Sequence, residues 1–217
     1  MLSNMRIGPR LISAFMLLVV ISAIIGVLGL FSAGRIDDKA NDMYEKELLG
    51  LSYIKEANIQ LISIGRARSN FLLATSQAER DQHLQSIKDE AANALANVEK
   101  AKPLFMTDRA RELFGQIDKT WAAYDAEMQR ALTLAAKEAL QTRNQELVRS
   151  LDQVNQHAAS IDAMMSELTQ QKEDRAKLVA QETTEVYLSS RNWIIVALLS
   201  GVAIGIALAL IISRGVT

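Results

Sequence analysis

Two arginines, Arg66 and Arg68, stand in a segment whose apolar neighbours recur at helical spacing, and the ligand their chemistry fits is a small carboxylate. A guanidinium presents a rigid fork of donors that matches a carboxylate bidentately. Arg68 and Asn58 fall on the inward stripe with Leu51, Ile54, Leu61, Gly65 and Leu72. Arg66 lies on the adjoining stripe with Ile59, Ile62, Ser69 and Leu73, the face a second subunit would cover. Buried unpaired charge on either stripe would cost on the order of several kcal/mol. A bound anion would answer it; so would Glu79, Asp81 or Asp152, or solvent reached along the side-chain stem. Gly65 beside the pair costs about 1 kcal/mol relative to alanine inside a helix, which points to a need for room. Counting along the helices set out below brings Arg66, Arg68, Tyr124 and Asn155 to one level, within about two helical turns.

Other chemistry finds less support. His83 and His157 reach a similar height, but without carboxylate or thiolate neighbours they make a poor metal or proton-sensing pair and read as solvated. Trp121 and Tyr124 at helical spacing read first as core. The chain has no cysteine, which removes disulfides and thiolate chemistry together. It shows no phosphate loop, no nucleophile with a base and no HExxH, so neither an enzyme nor a cofactor is expected. Net charge is -1, and once Arg6, Arg10 and Arg214 are set aside, all 25 acidic residues face 21 basic ones between positions 35 and 191. Such a mildly acidic surface argues against nucleic acid as a partner.

The elements that must hold these residues begin with two apolar runs, 11–34 and 192–213, each long enough to cross a bilayer, which takes about 20 residues. The short tails, 1–10 and 214–217, carry only basic charge, which places both in the cytoplasm and the 35–191 segment outside it, periplasmic in a bacterial inner membrane. The first run exceeds the apolar core of a cleaved signal peptide and no A-x-A site follows, so it reads as an anchor.

Between the runs the composition predicts an all-α fold, an antiparallel four-helix bundle flanked by two transmembrane helices. The first helix continues from the span and ends near Ala74, because Ser76 and Glu79 spell a capping box. The second runs from about Gln77 to Lys102, where Pro103 stops it, and Thr107 or Asp108 caps the third, which reaches about Lys137. A turn over 139–144 leads into the fourth. Its partner stripes are Leu84, Ile87, Ala91, Leu95 and Val98; then Ala110, Leu113 or Phe114, Ile117, Trp121, Tyr124 and Met128; then Leu147, Leu151, Val154, Ala158, Ile161, Met165 and Leu168. Lys172 falls where an apolar residue is due, which predicts that the stripe drifts and the bundle thins to two helices. Gly201 and Gly205 form a small-xxx-small pair in the second span.

With the elements in place, four segments resemble the sensor half of bacterial methyl-accepting chemotaxis receptors that carry a four-helix-bundle ligand-binding domain. They are MRIGPRLISAF at 5–15, GVLGL at 26–30, RARSNFLLAT at 66–75 and ISRGVT at 212–217. The resemblance implies a homodimer that grips a ligand at its membrane-distal subunit interface, through arginines of the first helix and polar groups near the top of the fourth. Family members of this kind detect amino acids, aromatic acids or organic acids. Carried onto this chain, those groups are Arg66 and Arg68 with Arg149, Gln153 and Asn155. The aspartate receptor spaces its arginines further apart, and two near-adjacent arginines with Arg149 above suit a di- or tricarboxylate. Val216 and Thr217 resemble the start of a HAMP linker, so the chemotaxis adaptor and kinase would be reached only through a cytoplasmic part beyond them. Ligand binding is then expected to slide the fourth helix by about 1–2 Å. The same module also precedes histidine kinases and cyclases, and a receptor for a periplasmic protein, with no small ligand, is the other reading.

Overall fold

A computed structural model describes residues 7–214. Helix α1 (Ile7–Asp42) passes through a six-residue π-helical turn, Met43–Leu48, into α2 (Leu49–Leu73). Then come α3 (Gln77–Ala101), a 3-10 turn (Lys102–Leu104), α4 (Asp108–Lys137) and the 70-residue α5 (Gln145–Arg214), and no strand forms among the described residues. Arg6 in the basic tail and the linker start at 215–217 lie outside the described residues. The backbone falls into two units, one spanning Met43–Lys177 and one combining α1 with the part of α5 from Leu178 onward.

In the first unit each corner is set by local chemistry. Ser76 caps α3, its Oγ accepting from the Glu79 amide at 3.3 Å. The return bond lands one residue earlier than a standard capping box would put it: the Glu79 carboxylate accepts from the Thr75 amide at 2.8 Å and the Thr75 hydroxyl at 3.0 Å. These donors, the Thr75 amide foremost, hold the Glu79 pKa below its ordinary value. A depressed folded pKa gives stability that is complete above the unfolded pKa, about 4.3, and is lost as pH falls through the lower folded value. The melting temperature of Glu79→Gln should therefore lie below that of the parent near neutral pH and converge with it on acidification.

Pro103 sits in the 3-10 turn that ends α3, and the Thr107 hydroxyl caps α4 by accepting from the Ala110 amide at 3.1 Å. At the last corner Asn144 Oδ1 accepts from the Leu147 amide at 2.8 Å. Without a glycine there, Gln141 takes the left-handed conformation at φ 64°, and its side chain donates to the Leu73 carbonyl at 3.2 Å, tying the two distal corners together. Arg80 adds a second tie. It is buried, with its guanidinium 5.5 Å from the Phe71 ring and donating to the Glu138 carbonyl at the C-terminal end of α4.

The core follows the expected stripes with three adjustments. On α4 every expected residue is buried, both Leu113 and Phe114 included, and on α5 Leu147, Val154, Ile161, Met165 and Leu168 are fully buried. On α3 the buried position is Ala94, not Leu95, which is 37% exposed; the spacing 87, 91, 94, 98 holds the helical phase better than a step through 95. On α2 the centre of the stripe runs through Ile54, Ala57, Leu61, Ile64, Ala67 and Phe71, which leaves Asn58, Gly65 and Arg68 half-buried at its edge.

The third adjustment concerns Lys172, which is buried rather than marking a drift of the stripe. Its Nζ donates to Glu47 at 2.9 Å and to the Leu104 carbonyl at 2.6 Å, and lies 4.5 Å from the Phe105 ring centre. A charge occupies an apolar position here because its partner is buried with it.

In the second unit α1 and α5 pack side by side through small residues. A Cβ added at Gly201 would come 3.1 Å from Ile21 Cγ2, and one at Gly205 would come 3.6 Å from Leu18 Cδ2. Lys39 and Glu182 pair across the same two helices. Many apolar side chains of this unit are exposed, Phe31, Leu30 and Leu199 among them. The two helices are long and apolar enough to cross a membrane.

Candidate functional site

A groove between α2 and α5 has its origin in small residues that face one another. Gly65 on α2 and Ala158 and Ala159 on α5 leave space that larger side chains would fill, and a Cβ at Gly65 would meet nothing within 4 Å. The resulting cavity of about 280 Å³ is ringed by Asn58, Arg68, Tyr124, Asn155 and Asp162, with Leu61 and Ile62 as apolar walls. On α2 the polar lining sits at 58 and 68, and on α5 at 155 and 162; helical spacing turns each pair toward the same side.

Charge and hydrogen bonding in the groove are incomplete. Arg68 Nη2 donates to Asn155 Oδ1 at 2.8 Å, and Asn58 Nδ2 donates to Asp162 Oδ1 at 2.8 Å. Arg68 Nε and Asn58 Oδ1 are both shielded from solvent without a partner, one a donor and one an acceptor. Burial lowers the Arg68 pKa, and the charge interaction with Tyr124 opposes that shift. Burial pushes the Tyr124 phenol up to about 12, so it stands as a neutral hydroxyl at physiological pH. Unpaired buried polar atoms are uncommon in proteins and cost about 1–3 kcal/mol each. Two of them in one cavity mark a site that a ligand's own polar groups can complete.

The groove brings together three of the residues expected from sequence, Arg68, Tyr124 and Asn155. Arg149 and Gln153 line a different and more polar cleft, of about 470 Å³, with Arg130, Gln145, Glu146 and Ser150. There Arg130 is already neutralised by Glu146 at 3.1 Å and Glu127 at 3.9 Å. Arg66 lines neither; it is exposed on the face that also displays Ile59, Ile62 and Leu73, each between 55% and 58% exposed. Two of the three acidic residues that could have balanced the arginines are engaged elsewhere: Glu79 accepts from Thr75 and Asp81 accepts from Gln77. Asp162 is the lining residue that the sequence reading missed. Its signal is the i, i+3, i+4, i+7 set of Asn155, Ala158, Ala159 and Asp162, in which two alanines between polar ends make a shallow concave face.

Among the described residues no group of His, Cys, Asp and Glu could hold a metal ion. The arrangement supplies a guanidinium, a phenol, two amides and a carboxylate around a small open cavity, which is equipment for binding. A model of the four-helix-bundle sensory module for signal transduction matches residues 4–187. The chain belongs to that family, the sensory module of methyl-accepting chemotaxis proteins. No curated protein and no solved structure matches it. Signal transduction is the business of such sensory modules, which are not an enzyme family. Within this module the match spans the whole bundle, so it covers every residue of the groove.

Gly65 offers a test of the groove that separates binding from folding. Gly65→Ala should raise the melting temperature, since alanine gains about 1 kcal/mol over glycine inside a helix. The added methyl enters the empty cavity, so ligand affinity should fall in the same variant. A rise in both quantities would remove Gly65 from the site.

Proposed function

We propose that this sensory module is the receptor portion of a transmembrane chemotaxis receptor. In this reading its bundle stands in the periplasm of a bacterial inner membrane, works as a homodimer, and binds a small organic anion in the groove between α2 and α5. The observation that carries the reading is the pair of unsatisfied buried atoms, Arg68 Nε and Asn58 Oδ1, on two residues that line one cavity. A carboxylate satisfies the first and a hydroxyl or ammonium donor the second.

Asp162 refines the expected ligand. One guanidinium and one carboxylate share the groove, while Arg66 and Arg149 lie elsewhere. A di- or tricarboxylate would meet Asp162 as a like charge, whereas an amino acid or a hydroxy acid presents both signs or a donor. The homodimer is supported by Ile59, Ile62 and Leu73, an exposed apolar strip on α2 beside the groove. Since α5 runs unbroken from Gln145 to Arg214, Asn155 and the second apolar run belong to one helix, along which a displacement at the groove would be passed on.

The test is a melting-temperature screen of the full chain in micelles against amino acids, hydroxy acids, di- and tricarboxylates and aromatic acids. A ligand at 100 times its dissociation constant should add about 2.7 kcal/mol. A shift with one class establishes a small-molecule sensor and names that class. If no compound shifts a folded, dimeric chain, the apolar strip becomes the leading surface and a periplasmic protein the leading partner.

A further inference from the structure

The groove does not use the buried ion pair at the other end of the bundle, and that pair joins three elements at one point. Glu47 comes from the π-helical turn, Leu104 and Phe105 from the connection between α3 and α4, and Lys172 from α5. Side-chain exposure is 6% for Lys172 and 9% for Glu47, so water does not substitute for either partner. Gly50 explains how the lysine gets there. A Cβ at that position would stand 2.7 Å from Lys172 Cε and 3.4 Å from Leu104 Cβ, so a side chain there would displace the lysine stem that passes beneath α2. The stem therefore lies packed against the Gly50 backbone and is almost wholly buried.

We propose that Glu47 and Lys172 form a latch that fixes the axial position of α5 against α2 and makes that position one of two discrete states. A slide of α5 by about 1–2 Å, the scale of helix shifts in switching proteins, lengthens both Nζ contacts together. A partial slide leaves a buried charge unpaired, which is the worst arrangement available, so the helix is either latched or displaced far enough to repair the charge. The π-helical turn supplies the second half of the device. Its i to i+5 bonding accommodates one extra residue, and the same backbone can return to i to i+4 bonding, so Met43–Leu48 has two registers in which to present Glu47. Lys172 lies 17 residues beyond Asn155 on the same helix, between the groove and the apolar run. The latch thus sets the resting state on which any input at the groove acts. It extends the sensor reading, yet its test needs no ligand, so the two can fail separately.

The chain has no cysteine, so nitroxide labels at Ser52→Cys and Ser160→Cys, both exposed positions, report the α2 to α5 distance without background. Labelled full chain is diluted into excess unlabelled chain in lipid nanodiscs and the distance distribution is read by pulsed electron resonance. The parent should give one narrow distance. Glu47→Met with Lys172→Met, which keeps the volume apolar and removes both charges, should give a second population displaced by about 1–2 Å. Glu47→Gln, which keeps the shape and one hydrogen bond, should populate the same second distance to a smaller extent and serves if the double variant does not fold. A folded variant of either kind with the parent's single distance would overturn the latch.

Discussion

Lys172→Ala is expected to cost the bundle about 3–5 kcal/mol, the largest loss foreseen for any single charged residue in this chain, because it strands a buried carboxylate. The contrast that makes this informative is Lys55→Ala. Lys55 also bridges α2 to α5, through Glu173 at 3.0 Å, and on a list of ion pairs the two look alike. Lys55 is 52% exposed, however, and an exposed pair contributes about 0.2–1 kcal/mol. Denaturant titration of the full chain in micelles reads both. Equal losses would mean that Glu47 is hydrated in solution and that the junction is an ordinary surface bridge. The double replacement Glu47→Met with Lys172→Met should recover most of the loss, since a buried pair exchanged for apolar groups of similar volume is often neutral or stabilising. A large loss for one partner and a small one for both is the signature of a pair kept for position rather than for stability.

How much of this was legible in the sequence depends on whether a residue's role is local. Helix ends were readable to within a residue because Ser76 and Thr107 cap amides three positions on and Pro103 cannot continue an α-helix. Core stripes were readable because periodicity is local too, and the error at Leu95 arose where Ala94 and Leu95 both fit the spacing and hydrophobicity favoured the wrong one. Counting turns placed Arg68, Tyr124 and Asn155 at one level, and the groove joins them. Level alone does not fix rotation about the helix axis. Arg66, two residues from Arg68, points about 200° away from it at 100° per residue and so leaves the groove. Arg149 and Gln153 fail for the companion reason: six and two residues before Asn155 on α5, they line its α4 side. The lysine junction was least legible of all. Glu47 and Lys172 are 125 residues apart, and a polar residue on an apolar stripe reads as the end of a core unless its partner is already known.

The same distinction governs the last prediction. Arg68→Ala should abolish most ligand binding, by about 100-fold or about 2.7 kcal/mol, while leaving the ligand-free bundle as stable as the parent or slightly more so. The two effects have one cause. Arg68 is desolvated enough to lower its pKa, its Nε has no partner, and its one hydrogen bond goes to an amide rather than a carboxylate. A group held in that state costs stability in the empty protein and returns it when an anion arrives, the familiar opposition between a poised site and a stable fold. Whichever compound gives the largest melting shift with the parent is titrated calorimetrically against Arg68→Ala, Arg66→Ala and Arg149→Ala. Binding lost only in the first places the site in the α2 to α5 groove of one subunit. Binding lost in Arg66→Ala as well would mean that the exposed face joins the site, as it would if a second subunit closed over the groove. If Arg149→Ala alone abolishes binding, the ligand sits in the α4 to α5 cleft and Arg68 is a structural charge after all. A loss of stability in Arg68→Ala would point the same way, since only a residue that holds the empty bundle together is missed before the ligand is added.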